Sequence, residues 1–234
     1  MTKRTVVPFD GEAAKRAVVT VGDGRGFVME MPRASHMKRS TAMCRIVVTA
    51  AHCLPHLPPT MSFALSREKT YTDLLGPLGT SKPSIMTECL FVDPVADIAV
   101  LGEPDDQTSQ AFYDASLAFE KFIQKRAALP LSTSNIVKPM TGWLLSLDGH
   151  WSKCTITASR RLLPPPRALW ATEAIAGIFG GMSGSPILLD DGRAIGVFCT
   201  GSGESDKVPT GGGPQPRLTH HLPWWLVKRL REKR

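Results

Sequence analysis

Nowhere does the chain hold a run approaching the roughly 20 consecutive apolar residues that a membrane-spanning helix needs. The first 20 residues also lack an apolar stretch long enough for a secretion signal, because Lys3, Arg4, Asp10, Glu12, Lys15 and Arg16 interrupt them. The expectation is a cytoplasmic protein with no integral membrane segment. Cysteine is sparse as well. Cys44, Cys53, Cys89, Cys154 and Cys199 are odd in number, cannot all pair and show no dense disulfide framework, which fits reduced thiols. No internal repeat of fixed period is visible.

Excess charge is concentrated rather than spread. The formal net charge is +7, but Lys228, Arg229, Arg231, Lys233 and Arg234 crowd the last seven positions, and the rest carries about +3. That gives little reason to expect nucleic acid as a partner. What the chain has in quantity is turn formers. Its 20 Gly and 19 Pro, beside 42% apolar residues, favour many short elements and β structure over long helices. A length of 234 residues suits one large all-β domain or two small barrels.

Three segments carry chemistry. Ala50-Ala51-His52-Cys53 follows the apolar run Ile46-Val47-Val48-Thr49, and Gly180-Gly181-Met182-Ser183-Gly184-Ser185-Pro186 lies far downstream. Between them, Asp97 sits in the strand-like run Val95 to Leu101, where a charge is costly unless something holds it. An imidazole N–H is the natural partner. Serine is a weak nucleophile at neutral pH, so Ser183 needs a base to take its proton as it attacks a carbonyl. His52 is the candidate base, with Asp97 fixing its tautomer and stabilising the imidazolium. Asp93 competes for the acid's place, but its context matches less well.

These segments resemble the trypsin-like (chymotrypsin-fold) serine peptidases, with TAAHC around the base, D-I-A-V around the acid and a G-x-S-G-S-P nucleophile motif as in bacterial members. The order His, Asp, Ser along the chain is also that family's. The resemblance implies two six-stranded antiparallel β-barrels with a short C-terminal helix. Residues 1–110 would form the first, carrying His52 and Asp97. Residues 111–234 would supply an inter-barrel segment, the second barrel with Ser183, and the helix, all within one peptidase domain. It also implies an oxyanion hole from the amides of Gly181 and Ser183, and a substrate pocket with Gly177 at its floor and Phe198, Cys199, Thr200 and Gly201 on its wall. Gly177 offers no charge for Lys or Arg, so an apolar or small residue is expected before the scissile bond. Met182 replaces the acid that digestive relatives pair with a new N-terminus, and no Ile-Val-Gly-Gly start exists, so activation by proteolytic maturation is not expected. The cysteine that usually bridges to the one after the catalytic histidine is missing near His36 and Met37, although Cys44 could substitute as a partner for Cys53.

Along the chain, Val18–Val21 and Gly26–Val28 read as strands about a tight turn, and Cys44–Thr49 as the strand delivering His52. Pro32 to Thr41 reads as a basic loop. Ser62–Leu65, Tyr71–Leu75, Ile85–Val92 and Ile98–Leu101 complete a first barrel, and residues 111–126 carry helical periodicity. Thr141–Leu147 and Cys154–Ala158 flank the turn at Asp148-Gly149. Gly184–Leu189 and Ala194–Cys199 flank the one at Asp191-Gly192. Residues 202–215 read as a Gly-rich flexible loop, and residues 220–231 as the terminal helix. His56, His150, His220 and His221 match no metal-ligand spacing and read as surface residues, so no metal or other cofactor is expected. Trp224 and Trp225 are expected to pack on the second barrel.

The expected activity is that of a monomeric serine endopeptidase acting on protein or peptide substrates through an acyl-enzyme. A catalytically silent peptide-binding module of the same fold is one alternative. An α/β-hydrolase esterase is another, and it would need Gly in place of Ser185 and a later histidine such as His220 or His221.

Overall fold

A computed structural model describes residues 7–32, 43–59, 66–104, 110–158, 168–201 and 208–232. The expected strand at 62–65, most of the basic loop before β3, and residues 202–207 and 233–234 lie outside these.

Helix α1 (Gly11–Arg16) opens the described chain, its first turn capped by the Asp10 carboxylate, which accepts from the Ala13 N–H at 2.9 Å. Six strands follow: β1 (Val18–Val21), β2 (Gly24–Pro32), β3 (Met43–Thr49), β4 (Thr70–Pro77), β5 (Ile85–Asp93) and β6 (Ile98–Gly102). They close antiparallel in the order β1-β2-β3-β6-β5-β4. Phe27, Met29, Ile46, Leu75, Ile98 and Leu101 are fully buried, and each such side chain contributes roughly 1.5–3 kcal/mol relative to exposure.

The inter-barrel segment forms α2 (Gln110–Gln124), which buries Phe119, Phe122 and Ile123 while leaving Leu117 exposed. Arg45 of β3 donates to the carbonyls of Ile123, Gln124 and Arg126, meeting the orphan acceptors and the negative end of the helix dipole.

The second barrel comprises β7 (Met140–Leu145), β8 (Trp151–Ala158), β9 (Ala168–Thr172), β10 (Pro186–Leu188), β11 (Ala194–Val197) and β12 (Gly212–Pro216), in the order β11-β10-β7-β8-β9-β12. The two edge strands meet near one isolated bridge, Gly196 to Arg217, so closure is nearly complete. Residues 212–215, expected in a flexible loop, instead belong with Pro216 to β12, which pairs with β9. The terminal helix is two helices, α3 (Leu218–His221) and α4 (Trp224–Arg231), because Pro223 cannot continue the first and suits the start of the second.

Both ends of the described chain cross to the opposite barrel. Phe9 packs edge-on against Trp143 and Trp151 of the second barrel, and Trp151 Nε1 donates to the Gly11 carbonyl at 2.8 Å. Helix α4 buries Leu226 and Val227 and packs on β2 of the first barrel, where Arg229 bonds the Pro32 carbonyl. The expected packing of both tryptophans on the second barrel does not occur: Trp224 is 77% exposed and Trp225 41%. The apolar face of α4 is supplied by the residues after them. His220 and His221 are half-buried rather than on the surface. None of the five cysteines is in a disulfide, so Cys44 and Cys53 are not bridged. Among the described residues no helix is long and apolar enough to cross a membrane.

Candidate active site

Strand β3 ends in a single 3-10 turn, Ala51–Cys53, that buries Ala51 and Cys53 and turns His52 outward. Asp97 is not inside a strand. It occupies the turn before β6 with φ of 58°, a left-handed conformation that Asp tolerates better than most residues. Its carboxylate grips His52 twice, through Oδ2 at 2.6 Å from the ring Nδ1 and through Oδ1, which accepts from the His52 backbone N–H at 2.9 Å. This pair fixes the ring plane and leaves Nε2 for other partners. The competing acid is otherwise occupied: Asp93 Oδ1 accepts from the Val95 and Ala96 amides and shapes the turn that presents Asp97.

Ser183 lies in the second barrel, on the loop leading into β10, and shares a cavity of about 950 Å³ with His52 and Gly181. Among the described residues neither the Gly181 nor the Ser183 amide donates a hydrogen bond within the protein, whereas the flanking Met182 and Gly184 amides are engaged by the carbonyls of Phe179 and Phe198. Two free N–H groups beside a serine are what a developing oxyanion requires. No hydrogen bond joins Ser183 Oγ to His52 among the described residues. Met182 is buried in the second-barrel core, so this loop is anchored by packing rather than by a buried charge in need of a partner.

Sequence reasoning missed what seats this loop. The Arg25 N–H donates to the Ser183 carbonyl at 2.7 Å, and the Thr49 hydroxyl donates to the Arg25 carbonyl at 2.6 Å. Gly184 fits against that same carbonyl so closely that a Cβ there would fall 1.7 Å from it, and its φ is 81°. The buried Arg25 guanidinium then crosses between the barrels to the carbonyls of Leu145 (2.6 Å) and Ser146 (3.1 Å). Burial pulls its pKa below the ordinary arginine value, and nearby Asp148 opposes that fall. No local signal marks Arg25, since its partners lie about 120 residues away.

The expected pocket residues do not line the cavity that holds His52 and Ser183. Gly177 is buried against Val208 and Phe179, and Gly201 lies against Ile178. The Phe198 side chain is in the second-barrel core, while its backbone holds the nucleophile loop through Gly184 and Ser185. Cys199 points inward, its thiol donating to the Asp97 carbonyl at 3.1 Å, and burial pushes its pKa far up. Thr200 is exposed, with its amide and that of Cys199 both held by the buried Gln215 side chain. Neither His220 nor His221 reaches the cavity, and the antiparallel barrels are not an α/β-hydrolase sheet. No group of three metal-ligating side chains occurs among the described residues.

No protein-family model and no curated protein sequence matches the chain. Among solved structures, the inactive form of the Rv3671c protease aligns with a TM-score of 0.51 at 15% identity, over 93% of this chain and 91% of that one. A serine-to-alanine mutant of the same protein from M. tuberculosis H37Rv, also inactive, aligns with a TM-score of 0.46 at 13% identity, over 94% and 87%. The chain has a chymotrypsin-like fold.

Proposed function

We propose that the protein is a serine endopeptidase of trypsin-like type that hydrolyses peptide bonds through an acyl-enzyme. The observation carrying this reading is the doubly held His52–Asp97 pair facing a cavity that also contains Ser183 and the two unoccupied amides. In this mechanism His52 Nε2 takes the Ser183 proton as Oγ attacks the carbonyl carbon. The oxyanion forms against the Gly181 and Ser183 N–H groups, and Asp97 stabilises the imidazolium. The C–N bond then breaks as His52 protonates the leaving amine. A water deprotonated by the same nitrogen hydrolyses the ester and restores Ser183. The scheme calls for no metal or organic cofactor.

The acyl side of the substrate would lie along Cys199–Gly201. With Ile178 packed against Gly201, a small or apolar residue before the scissile bond suits that side. The buried Met182 needs no new N-terminus, which supports activity without proteolytic maturation. The missing Ser183–His52 hydrogen bond favours the second reading, a silent peptide-binding module, although such contacts often tighten only with substrate bound.

A fluorophosphonate probe with site mapping by mass spectrometry separates the two. The peptidase reading expects the label on Ser183, none on Ser183→Ala, and a loss of on the order of a thousandfold or more in labelling rate for His52→Ala. Absence of label on the folded chain would favour the silent module.

A further inference from the structure

The cavity beside Ser183 extends away from the expected acyl-side wall. Its lining comes from the β1–β2 turn, strand β4, the β4–β5 hairpin, and Leu147 and Gly149 after β7, and includes no residue of 198–201. If the peptidase reading holds, on which this inference rests, a peptide with its acyl half along 199–201 must run its leaving-group half into this cavity.

Its chemistry is specific. Asp23, in the β1–β2 turn, and Asp73, on β4, are both exposed, and neither carboxylate has a hydrogen-bond or ion-pair partner among the described residues. Asp73 sits at φ of 53°, within an irregularity of the β4–β5 register that turns its side chain out of the regular strand alternation. Among the described residues Arg25 is the sole Lys or Arg in the lining, and its guanidinium is committed to the Leu145 and Ser146 carbonyls. The lining also includes Leu54, Leu74, Leu78 and Leu147 beside the hydroxyls of Thr20, Thr72, Thr80 and Ser81. Aliphatic side chains together with unpaired carboxylates match the methylene stem and charged head of Lys or Arg.

We infer that this cavity is the leaving-group subsite and selects a peptide with Lys or Arg in the first residues after the scissile bond, with Asp23 and Asp73 as the residues that set the preference.

Binding tests this without turnover. Fluorescein-labelled peptide mixtures, randomised over four positions and followed by Lys-Lys or by Glu-Glu, are titrated by anisotropy into the Ser183→Ala protein. The Lys-Lys mixture should bind roughly tenfold tighter at low salt, with the ratio shrinking as salt screens the carboxylates. Asp23→Asn with Asp73→Asn should bring the ratio to about one, Asn being tolerated at the left-handed position. Asp73→Lys should invert it. Equal affinities in the Ser183→Ala protein, or a preference that survives the paired Asn substitutions, would overturn the inference. In the chain with Ser183 intact, new amino termini released from the same mixtures should carry Lys within their first two residues; Lys recovered only before the cut, or farther after it, would overturn the placement. Failure of the peptidase reading shows separately, as absence of probe on Ser183.

Discussion

The first barrel closes on itself through a continuous strand ladder and carries His52 and Asp97 already joined, whereas the second joins its edges near one isolated bridge and carries Ser183 on a glycine-rich loop. His52 and Asp97 both lie just outside strands of the same ring, and β3 and β6 are directly paired from Val47 to Thr49. Their contact is therefore a local product of one barrel. The Ser183 loop is different. Its own barrel gives it the Phe198 carbonyl and the buried Met182, but its position against His52 depends on Arg25 and Thr49 across the interface. One barrel makes its half of the site; the other makes a half that its neighbour must finish.

The sharpest way to break this division is Gly184→Ala. The new methyl must displace the Arg25 carbonyl or the nucleophile loop, and the left-handed backbone adds roughly 1–3 kcal/mol of strain. A shift of about 1 Å at a reacting group costs on the order of a hundredfold. Labelling of Ser183 by the fluorophosphonate should fall by at least that factor, while the His52 imidazole signals in NMR, reporting the first barrel's half, should keep their chemical shifts. Loss of both together would show that the halves are not built separately.

Arg25→Met comes next. It removes two hydrogen bonds from a charged donor to the carbonyls of Leu145 and Ser146, the latter still bonded by the Gly149 N–H, but keeps the backbone bond to Ser183. The expected destabilisation is about 2–4 kcal/mol in denaturant unfolding, with slower labelling of Ser183. An unchanged midpoint would mean that the guanidinium does not hold the barrels together.

What the sequence made legible divides along the same line. His52, Asp97 and Ser183 are each framed by neighbours in the chain, and the strands of both barrels show as short apolar runs between turns. Arg25 has no such frame. Strand β12 was hidden because Gly-Gly-Pro-Gln-Pro has neither alternation nor β propensity; its extended form is imposed by pairing with β9. Helix α1 rests on one capping acid and six residues, too short for periodicity to register. The cavity beside Ser183 was not legible either, because its lining joins the β1–β2 turn, β4 and the β4–β5 hairpin to Leu147 and Gly149, segments far apart in the chain.

The smallest expected effect separates the barrels by their thiols. Burial raises Cys53 and Cys89 in the first barrel to about 11, and Cys154 in the second to about 12, from an ordinary value of 9.0. A thiol held neutral in the fold contributes stability that is complete below about pH 9 and is lost as pH rises towards the folded value. Unfolding free energy should therefore decline between about pH 9 and 11. Cys89→Ala should flatten that decline, and Cys154→Ala should do so over a window reaching about pH 12. Identical slopes in all three proteins would rule out Cys89 and Cys154 as its source.

The crossing of Phe9 and α4 to opposite barrels has a bearing on synthesis. Strand β2 is made well before the helix that covers it, Trp224–Arg231, because the whole second barrel is encoded between them. At ribosomal rates of about 5–20 residues per second the gap amounts to roughly ten to forty seconds. Throughout that interval the nascent first half presents the apolar surface later covered by Leu226 and Val227, a natural landing place for a chaperone and the stage at which misassembly is easiest.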